Sequence, residues 1–255
     1  MWFPPYLIDL PTVAPVVLPP RDFHSIGFYS IVTGLAVCWL IAYGLAIHRG
    51  FVDKRVGIPA AFVCANIAWE FMHSLVIQQD AELRPFYLAW ALVDILILYQ
   101  VLKWGNRDFP SMSRRAFRGM VAAIIAYAAA LTLLMTYEFK DPIGLYDGAG
   151  LNILLSTSFI LMLRSRGSSA GQSMYIALFK WAGTALGALN TIIVFPERRL
   201  LLFLFATVSI LDFCYMTMLY RQIRREGANP WQFNRPPVPD TPVRKPVRPA
   251  VVPAG

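Results

Sequence analysis

The chain has 255 residues, of which 57% are hydrophobic, 14% aromatic and only 15% charged. Soluble domains carry roughly 25% charged residues, so this composition excludes an ordinary water-soluble protein. The formal net charge of +8 would suit a nucleic-acid-binding protein, but the basic residues fall between apolar stretches. We therefore expect an integral membrane protein with the lipid bilayer, and no nucleic acid, as its partner.

Seven apolar stretches predict an all-α integral membrane protein, built as a seven-transmembrane helix bundle. They cover residues 26–47, 58–77, 86–102, 117–136, 150–163, 174–195 and 200–220. The loops between them are short, so neighbours in sequence are expected to pack antiparallel.

The distribution of basic residues predicts how the bundle is oriented. Loops 1–2, 3–4 and 5–6 and the C-terminal tail hold 17 Lys and Arg residues, whereas the N-terminal segment and the other loops hold five. By the positive-inside rule the N-terminus lies outside and the C-terminus in the cytoplasm. Lys180 is the one basic residue in neither group, and its side chain is expected to extend to the cytoplasmic interface. An excess of arginine over lysine favours a bacterial cell membrane over the endoplasmic reticulum.

Composition divides the chain into three parts. Residues 1–25 contain six prolines and no basic region typical of a signal peptide, so an extended or loosely packed segment is expected there. Residues 26–220 form the transmembrane domain. Residues 221–255 are basic and rich in proline, which predicts a disordered cytoplasmic tail. The three cysteines lie inside apolar stretches and indicate neither a disulfide nor a metal site.

The second stretch contains a carboxylate, Glu70, near its middle. Such a charge costs roughly 2.5–3.5 kcal/mol on insertion scales, so it needs a compensating function or partner. Asn66 and His73 lie about one turn before and after Glu70, on the same face of a helix. Two interpretations stay open: an interhelical hydrogen-bond cluster and a polar reaction site within the membrane.

Two further carboxylates are expected at membrane depth. Asp94 in the third stretch follows Trp90 by one turn, and Asp212 in the seventh precedes Tyr215 by about one turn. Three buried acids without matching cations cannot all be ionised cheaply, so at least one is expected to be protonated. A neutral acid beside aromatic faces suits carbocation chemistry. It equally suits a proton relay in a transporter, and the residues alone do not separate the two.

Several short stretches carry a resemblance to a known family. They read NIAWEF at 66–71, WALVD at 90–94, RSRGS at 164–168, FKWAGT at 179–184 and DFCY at 212–215. In this order and at this length the chain resembles the membrane-integrated terpene cyclases of meroterpenoid and indole-terpenoid biosynthesis, of the paxilline and pyripyropene type, as a bacterial relative. The resemblance covers the second to seventh stretches.

The resemblance implies proton-initiated cyclisation of a farnesyl-type prenyl chain, often epoxidised, on an aromatic, indole or polyketide acceptor. It also implies catalytic roles for the acids Glu70 and Asp212, with Asp94 as a third. We expect the substrate and its cation to be contacted by a further set of side chains, namely Asn66, Trp69, His73, Trp90, Tyr215 and Asn190. For His73 a structural hydrogen bond, and for Asn190 helix packing, are open alternatives.

No cofactor is expected. The aspartate-rich motif that binds magnesium diphosphate in other terpene synthases is missing from the sequence, so no metal site is predicted. A pathway prenyltransferase or epoxidase is a possible partner.

Two other functions were weighed. A proton-coupled seven-helix transporter is disfavoured because matching Gly/Pro breaks in the helices are not evident. A lycopene-cyclase-like enzyme would be suggested by Pro196-Glu197, but Arg198 stands where that enzyme has a second acid. We interpret these residues as an ordinary turn.

Overall fold

The computed structural model describes residues 15–17, 26–77 and 84–238, and within these residues all regular structure is helical. The long helices are α1 (Ile26–Asp53), α2 (Ala60–Phe71), α3 (Arg84–Trp104), α4 (Arg114–Phe139), α5 (Leu145–Arg166), α6 (Met174–Val194) and α7 (Arg199–Arg225). Each overlaps one of the predicted apolar stretches. The expected all-α membrane fold is therefore confirmed.

Six of the helices described are long and apolar enough to cross a membrane, and α2 is the exception. With the π-helical turn Met72–Val76 that continues it, the apolar helix Ala60–Val76 spans about 25 Å at ~1.5 Å per residue, against a hydrocarbon core of about 30 Å. Its length is limited by Pro59 before its first turn and by the extended backbone of Ile77 after its last.

Helix α2 lies inside the bundle. It packs against α3, α4 and α5, while α1 packs mainly on α6, and α7 packs on α5 and α6. Nearly every residue from Phe62 to Glu70 is buried. The second helix therefore presents its polar side chains to other helices rather than to lipid.

Two glycines one turn apart let α1 approach α6 closely. A Cβ atom added to Gly183 would lie 2.7 Å from Trp39 Cδ1, and one added to Gly187 would lie 3.1 Å from Leu35 Cδ1. The pair is therefore a helix-packing feature, as the small-xxx-small spacing predicts. It also determines where the Trp39 ring lies.

We expect Gly183→Ala to destabilise the fold by about 1–3 kcal/mol, because the added methyl group overpacks the α1–α6 contact. Thermal unfolding in detergent measures the effect. Gly119→Ala on α4 is the matched control, since its Cβ would meet nothing within 4 Å. Equal melting temperatures for the two variants would contradict the assigned packing role.

Arg166, from the stretch at 164–168, joins three segments at one end of the bundle. Its guanidinium donates to both carboxylate oxygens of Asp108, at 2.9 and 2.6 Å, and to the carbonyl oxygens of Val56 and Ala170. Because every contact is with an element end or a loop, this residue stabilises the fold there.

The C-terminal segment differs from the predicted disordered tail over residues 221–238. Helix α7 continues to Arg225, and Arg235 is buried, with its guanidinium donating to the Gln172 carbonyl oxygen at 2.9 Å. Arg49 donates to the carbonyl oxygen of Arg235 at 2.6 Å, and the Val238 amide donates to Asp53 at 3.0 Å. The composition argument does not anticipate these contacts, in which polar groups of α1 and of the α5–α6 loop and the Tyr175 ring hold the segment. Residues 239–255 lie outside the described residues.

Only residues 15–17 of the N-terminal segment are described. Val16 is buried, and its amide donates to the Lys140 carbonyl oxygen at 2.9 Å. Arg198 donates to the Pro15 carbonyl oxygen at 3.0 Å. This short piece therefore packs onto the α4–α5 and α6–α7 turns, and the rest of the expected extended segment lies outside the described residues.

Candidate active site

One buried amide joins two carboxyl groups at the centre of the bundle. Asn66 Nδ2 lies 2.7 Å from Glu70 Oε1 and 2.8 Å from Asp94 Oδ2, with the Tyr43 hydroxyl at 3.2 Å. Asn66 and Glu70 are one turn apart on α2, and Asp94 projects from α3. All three side chains are buried. The structure thus brings together Asn66, Glu70 and Asp94, which the sequence placed on two separate helices.

One carboxyl oxygen in this cluster of Asn66, Glu70 and Asp94 has no hydrogen-bond partner among the residues described. The Asn66 amide nitrogen has two protons to share among three oxygen atoms. Glu70 Oε2 is buried without a hydrogen-bond partner among the residues described. Two carboxylate charges this close together would repel, so one proton held between Glu70 and Asp94 costs least. Glu70 Oε2, which accepts no hydrogen bond from the residues described, can carry that proton.

Glu70 lies on the wall of a chamber with a volume of about 160 Å³. The lining comes from α1, α2, α3 and α5 and comprises Leu35, Trp39, Tyr43, Phe62, Asn66, Trp69, Glu70, Trp90, Gly148, Leu151 and Asn152. The Tyr43 ring stands between Trp39 and Trp90, with each pair of ring centroids 5.8 Å apart. The chamber therefore combines one acid with several aromatic faces, and it can hold a cation without ionic partners.

Asp212 belongs to a second polar group, and here the expectation for Lys180 was wrong. Lys180 is buried and does not extend to an interface; its ammonium lies 2.6 and 2.7 Å from the two carboxylate oxygens of Asp212 and also donates to Ser156 Oγ. The three protons of the ammonium are therefore matched by three acceptors on α5 and α7. The side chain stays inside because Asp212 and Ser156 satisfy its charge and its protons there.

The two polar groups are connected only indirectly. No hydrogen bond or ion pair joins Glu70 to Asp212 within the described part of the chain. Ser156, which accepts from Lys180, donates to the Asn152 carbonyl oxygen at 2.9 Å, and Asn152 lines the chamber. Asp212 is thus separated from the chamber by Lys180, Ser156 and Asn152.

His73 lies behind the chamber wall, in the π-helical turn that follows Glu70. It is fully buried, with Nε2 3.6 Å from Asp147 Oδ2 and its ring 4.7 Å from the ring of Trp69. Nearby Asp141 accepts hydrogen bonds from two backbone amides at the start of α5. Burial raises the pKa of Asp141, and these N–H donors oppose the shift. The Trp69 ring contacts His73 and also lines the chamber, so it separates His73 from the chamber.

Of the other residues predicted to contact the substrate, two line the chamber and two do not. Trp69 and Trp90 line the chamber, whereas Tyr215 and Asn190 do not. Tyr215 stacks on Phe159 at 4.8 Å, and its hydroxyl donates to Gln172 Oε1 at 2.8 Å. Asn190 on α6 is half-buried.

The chamber also includes residues that the sequence reasoning did not select. Trp39 and Tyr43 lie one turn apart on α1, and that spacing within an apolar stretch was the available signal. Asn152 carried no comparable signal. Within the residues described, no group of three or more His, Cys, Asp or Glu side chains could hold a metal ion.

The helical membrane fold and the acid-bearing aromatic chamber define a class of membrane-embedded protein that can handle an apolar substrate and a proton. The sequence model of the Pyr4-like transmembrane terpene cyclases matches residues 16–226. The chain belongs to this family, and it is a multi-pass membrane terpene cyclase. Membership favours the enzyme over the transporter alternative.

Curated relatives agree with this assignment. The chain is 29% identical over 195 residues to the Pyr4-family terpene cyclase mfmH of Annulohypoxylon moriforme, covering 70% of this chain and 79% of the relative. It is 26% identical to the asnovolin H synthase nvfL of Aspergillus novofumigatus, covering 75% and 84%. It is 25% identical to the terpene cyclase pyr4 of Aspergillus fumigatus, covering 67% and 73%. No solved structure matches the chain.

These relatives are fungal, so a bacterial origin has no support among them.

The turn interpretation of Pro196-Glu197 is confirmed, because both residues lie in the α6–α7 turn and Glu197 contacts Arg198 at 3.1 Å.

Proposed function

We propose that the protein cyclises a farnesyl-type prenyl chain, attached to an aromatic, indole or polyketide acceptor, by protonating its far end. The observation that carries the proposal is Glu70 Oε2, a buried acid oxygen without a partner among the described residues, on a residue that lines an aromatic chamber. Neutral Glu70 can hold its proton on that oxygen and present it to an apolar chain.

The reaction balances without a co-reactant. Glu70 gives its proton to a terminal epoxide oxygen, whose C–O bond opens, or to a terminal alkene carbon. Alkene π-electron pairs then form C–C bonds in sequence and move the positive charge along the chain. A base removes a final proton, so the product is an isomer of the substrate. Holding the chain folded before protonation lowers the entropic part of the barrier.

Asn66 makes the proton transfer feasible. Burial by itself makes a carboxylic acid a weaker donor, so the forming carboxylate needs hydrogen bonds already in position. The Asn66 amide supplies one at 2.7 Å to Glu70 Oε1. Asp94, on the other side of the same amide at 2.8 Å, fixes its orientation and can share the proton that returns to Glu70.

Trp69, Trp90, Trp39 and Tyr43 stabilise the cation through their ring faces in this proposal. His73 supports Trp69 from behind. Tyr215 and Asn190 act outside the chamber, because neither lines it.

Asp212 acts indirectly in this proposal. Both of its oxygens accept from Lys180, so it has no oxygen directed at substrate without breaking that pair. It keeps Lys180 paired and thereby keeps α6 and α7 packed beside α5, which carries Asn152, so it is a positioning residue.

The membrane arrangement is part of the proposal. All seven helices cross the bilayer, with the N-terminus outside and the C-terminus in the cytoplasm, as the basic loops favour. The short α2 is shielded from lipid by α3, α4 and α5. A prenyltransferase and an epoxidase would act earlier on the same substrate.

The direct test is an assay in membranes with a farnesylated aromatic acceptor, with and without a terminal epoxide. We expect a cyclised isomer of unchanged mass, formed faster from the epoxide because its oxygen is more basic than an alkene. Absence of any isomer from both substrates would count against the proposal.

Replacing Asn66 by alanine is expected to lower kcat by about 10²–10³-fold, the usual effect of removing one preorganised donor to a developing anion. Steady-state kinetics on purified enzyme measure it. Asn106→Ala is the control, because Asn106 bonds only to loop carbonyls at one end of the bundle. An unchanged kcat for Asn66→Ala would show that the amide does not assist the acid.

A further inference from the structure

Among the described residues that line the chamber, Gly148 is the only one without a side chain. It lies in the first turns of α5, where the Asn152 amide donates to its carbonyl oxygen at 3.1 Å. Its backbone is helical and has no positive φ, so any residue could adopt it without strain. The backbone therefore does not explain why glycine stands here.

Packing does not require glycine at this position either. A Cβ atom at Gly148 would meet only Trp69 Cζ2, at 3.5 Å, which is an ordinary van der Waals contact. At Gly57, by contrast, a Cβ would lie 2.5 Å from the Ala46 carbonyl oxygen, and at Gly105 2.8 Å from Phe117 Cζ. Those glycines are needed for packing, whereas the space beside Gly148 belongs to the chamber.

We propose that Gly148 is a specificity-determining position, whose missing side chain leaves beside Trp69 the room in which the protonated prenyl chain folds into rings. The inference rests on the proposed function and deepens it, because it assigns the space next to the acid to the folded chain. Glu70 and Trp69 both line the chamber, so the space belongs to the same chamber as the acid that starts the reaction.

A methyl group at this position would change the reaction without disturbing the fold. One methylene more or less in an apolar pocket changes discrimination by about 10–200-fold, and a displacement of about 1 Å between reacting groups costs about 100-fold. The chamber is only about 160 Å³, so one added methyl group removes a substantial part of it. The chain would then fold differently, or close fewer rings before losing its proton.

The test compares Gly148→Ala with Gly150→Ala. Both glycines are in α5, so alanine improves helix propensity equally, but a Cβ at Gly150 meets nothing within 4 Å and Gly150 is exposed. We expect Gly148→Ala to lower kcat/KM for the farnesylated, epoxidised acceptor about tenfold or more, or to shift the ratio of cyclised isomers by that factor. We expect Gly150→Ala to stay within about twofold of the wild type in both. Chromatography of products of equal mass gives the ratio, and melting temperatures verify folding.

Wild-type-like kinetics and product ratio in Gly148→Ala would overturn the inference, and so would equal changes in the two variants. A wild-type enzyme that forms no cyclised isomer would instead refute the proposed function, before any variant is compared.

Discussion

Glu70→Gln is expected to lower kcat for cyclisation by about 10²–10⁴-fold, the contribution of a positioned general acid. Glutamine keeps the size of the side chain and an oxygen that accepts from Asn66, but it has no acidic proton. The rate of isomer formation from the farnesylated epoxide, measured in membranes, gives the effect. Glu138→Gln is the matched control, because Glu138 is exposed near the end of α4 and does not line the chamber.

A Glu70→Gln variant that retains activity within tenfold of the wild type would remove Glu70 from the role of donor. If Asp94→Asn then abolished turnover, the donor would be the other carboxyl group that shares the Asn66 amide. This pair of variants identifies which carboxyl group donates the proton, because the two acids lie at different positions relative to the chamber. Both acids are buried, but Glu70 lines the chamber and Asp94 does not.

Lys180→Met is expected to destabilise the protein by about 3–5 kcal/mol, because it leaves the Asp212 carboxylate buried without its cation. Adding Asp212→Leu should recover most of this loss, since a buried ion pair can be replaced by apolar residues at little cost. Thermal unfolding of the two variants in detergent measures both steps. Glu197→Gln removes an exposed carboxylate that pairs with Arg198, and it is expected to change stability by less than about 1 kcal/mol.

The same double variant separates the two roles open to Asp212. If Asp212 is a positioning residue, the double variant Lys180→Met/Asp212→Leu should be more active than Asp212→Asn alone, because its stability is recovered. A folded double variant as inactive as Asp212→Asn would show that the carboxylate takes part in the reaction. The indirect role proposed here would then be wrong.

Hydropathy was sufficient to find the helices but not their ends. The fourth apolar stretch, 117–136, lies within the longer α4 (Arg114–Phe139), whose first turn is capped by Ser113. Backbone hydrogen bonding continues into the polar interface, where hydropathy has no signal. Hydropathy also did not reveal that α2 is shorter than the other helices, because its length is limited by Pro59 and by the extended backbone of Ile77.

The site was predictable where it depends on one helix. The spacing of Asn66 and Glu70 follows from helix periodicity alone. The contact of Asp94 with Asn66, and that of Asp212 with Lys180, depend on how separate helices are rotated about their axes. Apolar stretches without a polar face leave that rotation undetermined. This is why Lys180 was assigned to the interface and Tyr215 to the substrate, and why Trp39 and Tyr43 were missed.

The Lys180–Asp212 pair also bears on how the chain is inserted during synthesis. Entering lipid singly, α6 would carry an ammonium and α7 a carboxylate, each at a cost of about 2.5–3.5 kcal/mol. Residues 195–198 alone separate the two helices, so they can leave the translocation channel as one hairpin in which these two opposite charges are already paired. Correct biogenesis of this last third of the protein then depends on the same two side chains that hold its helices together afterwards.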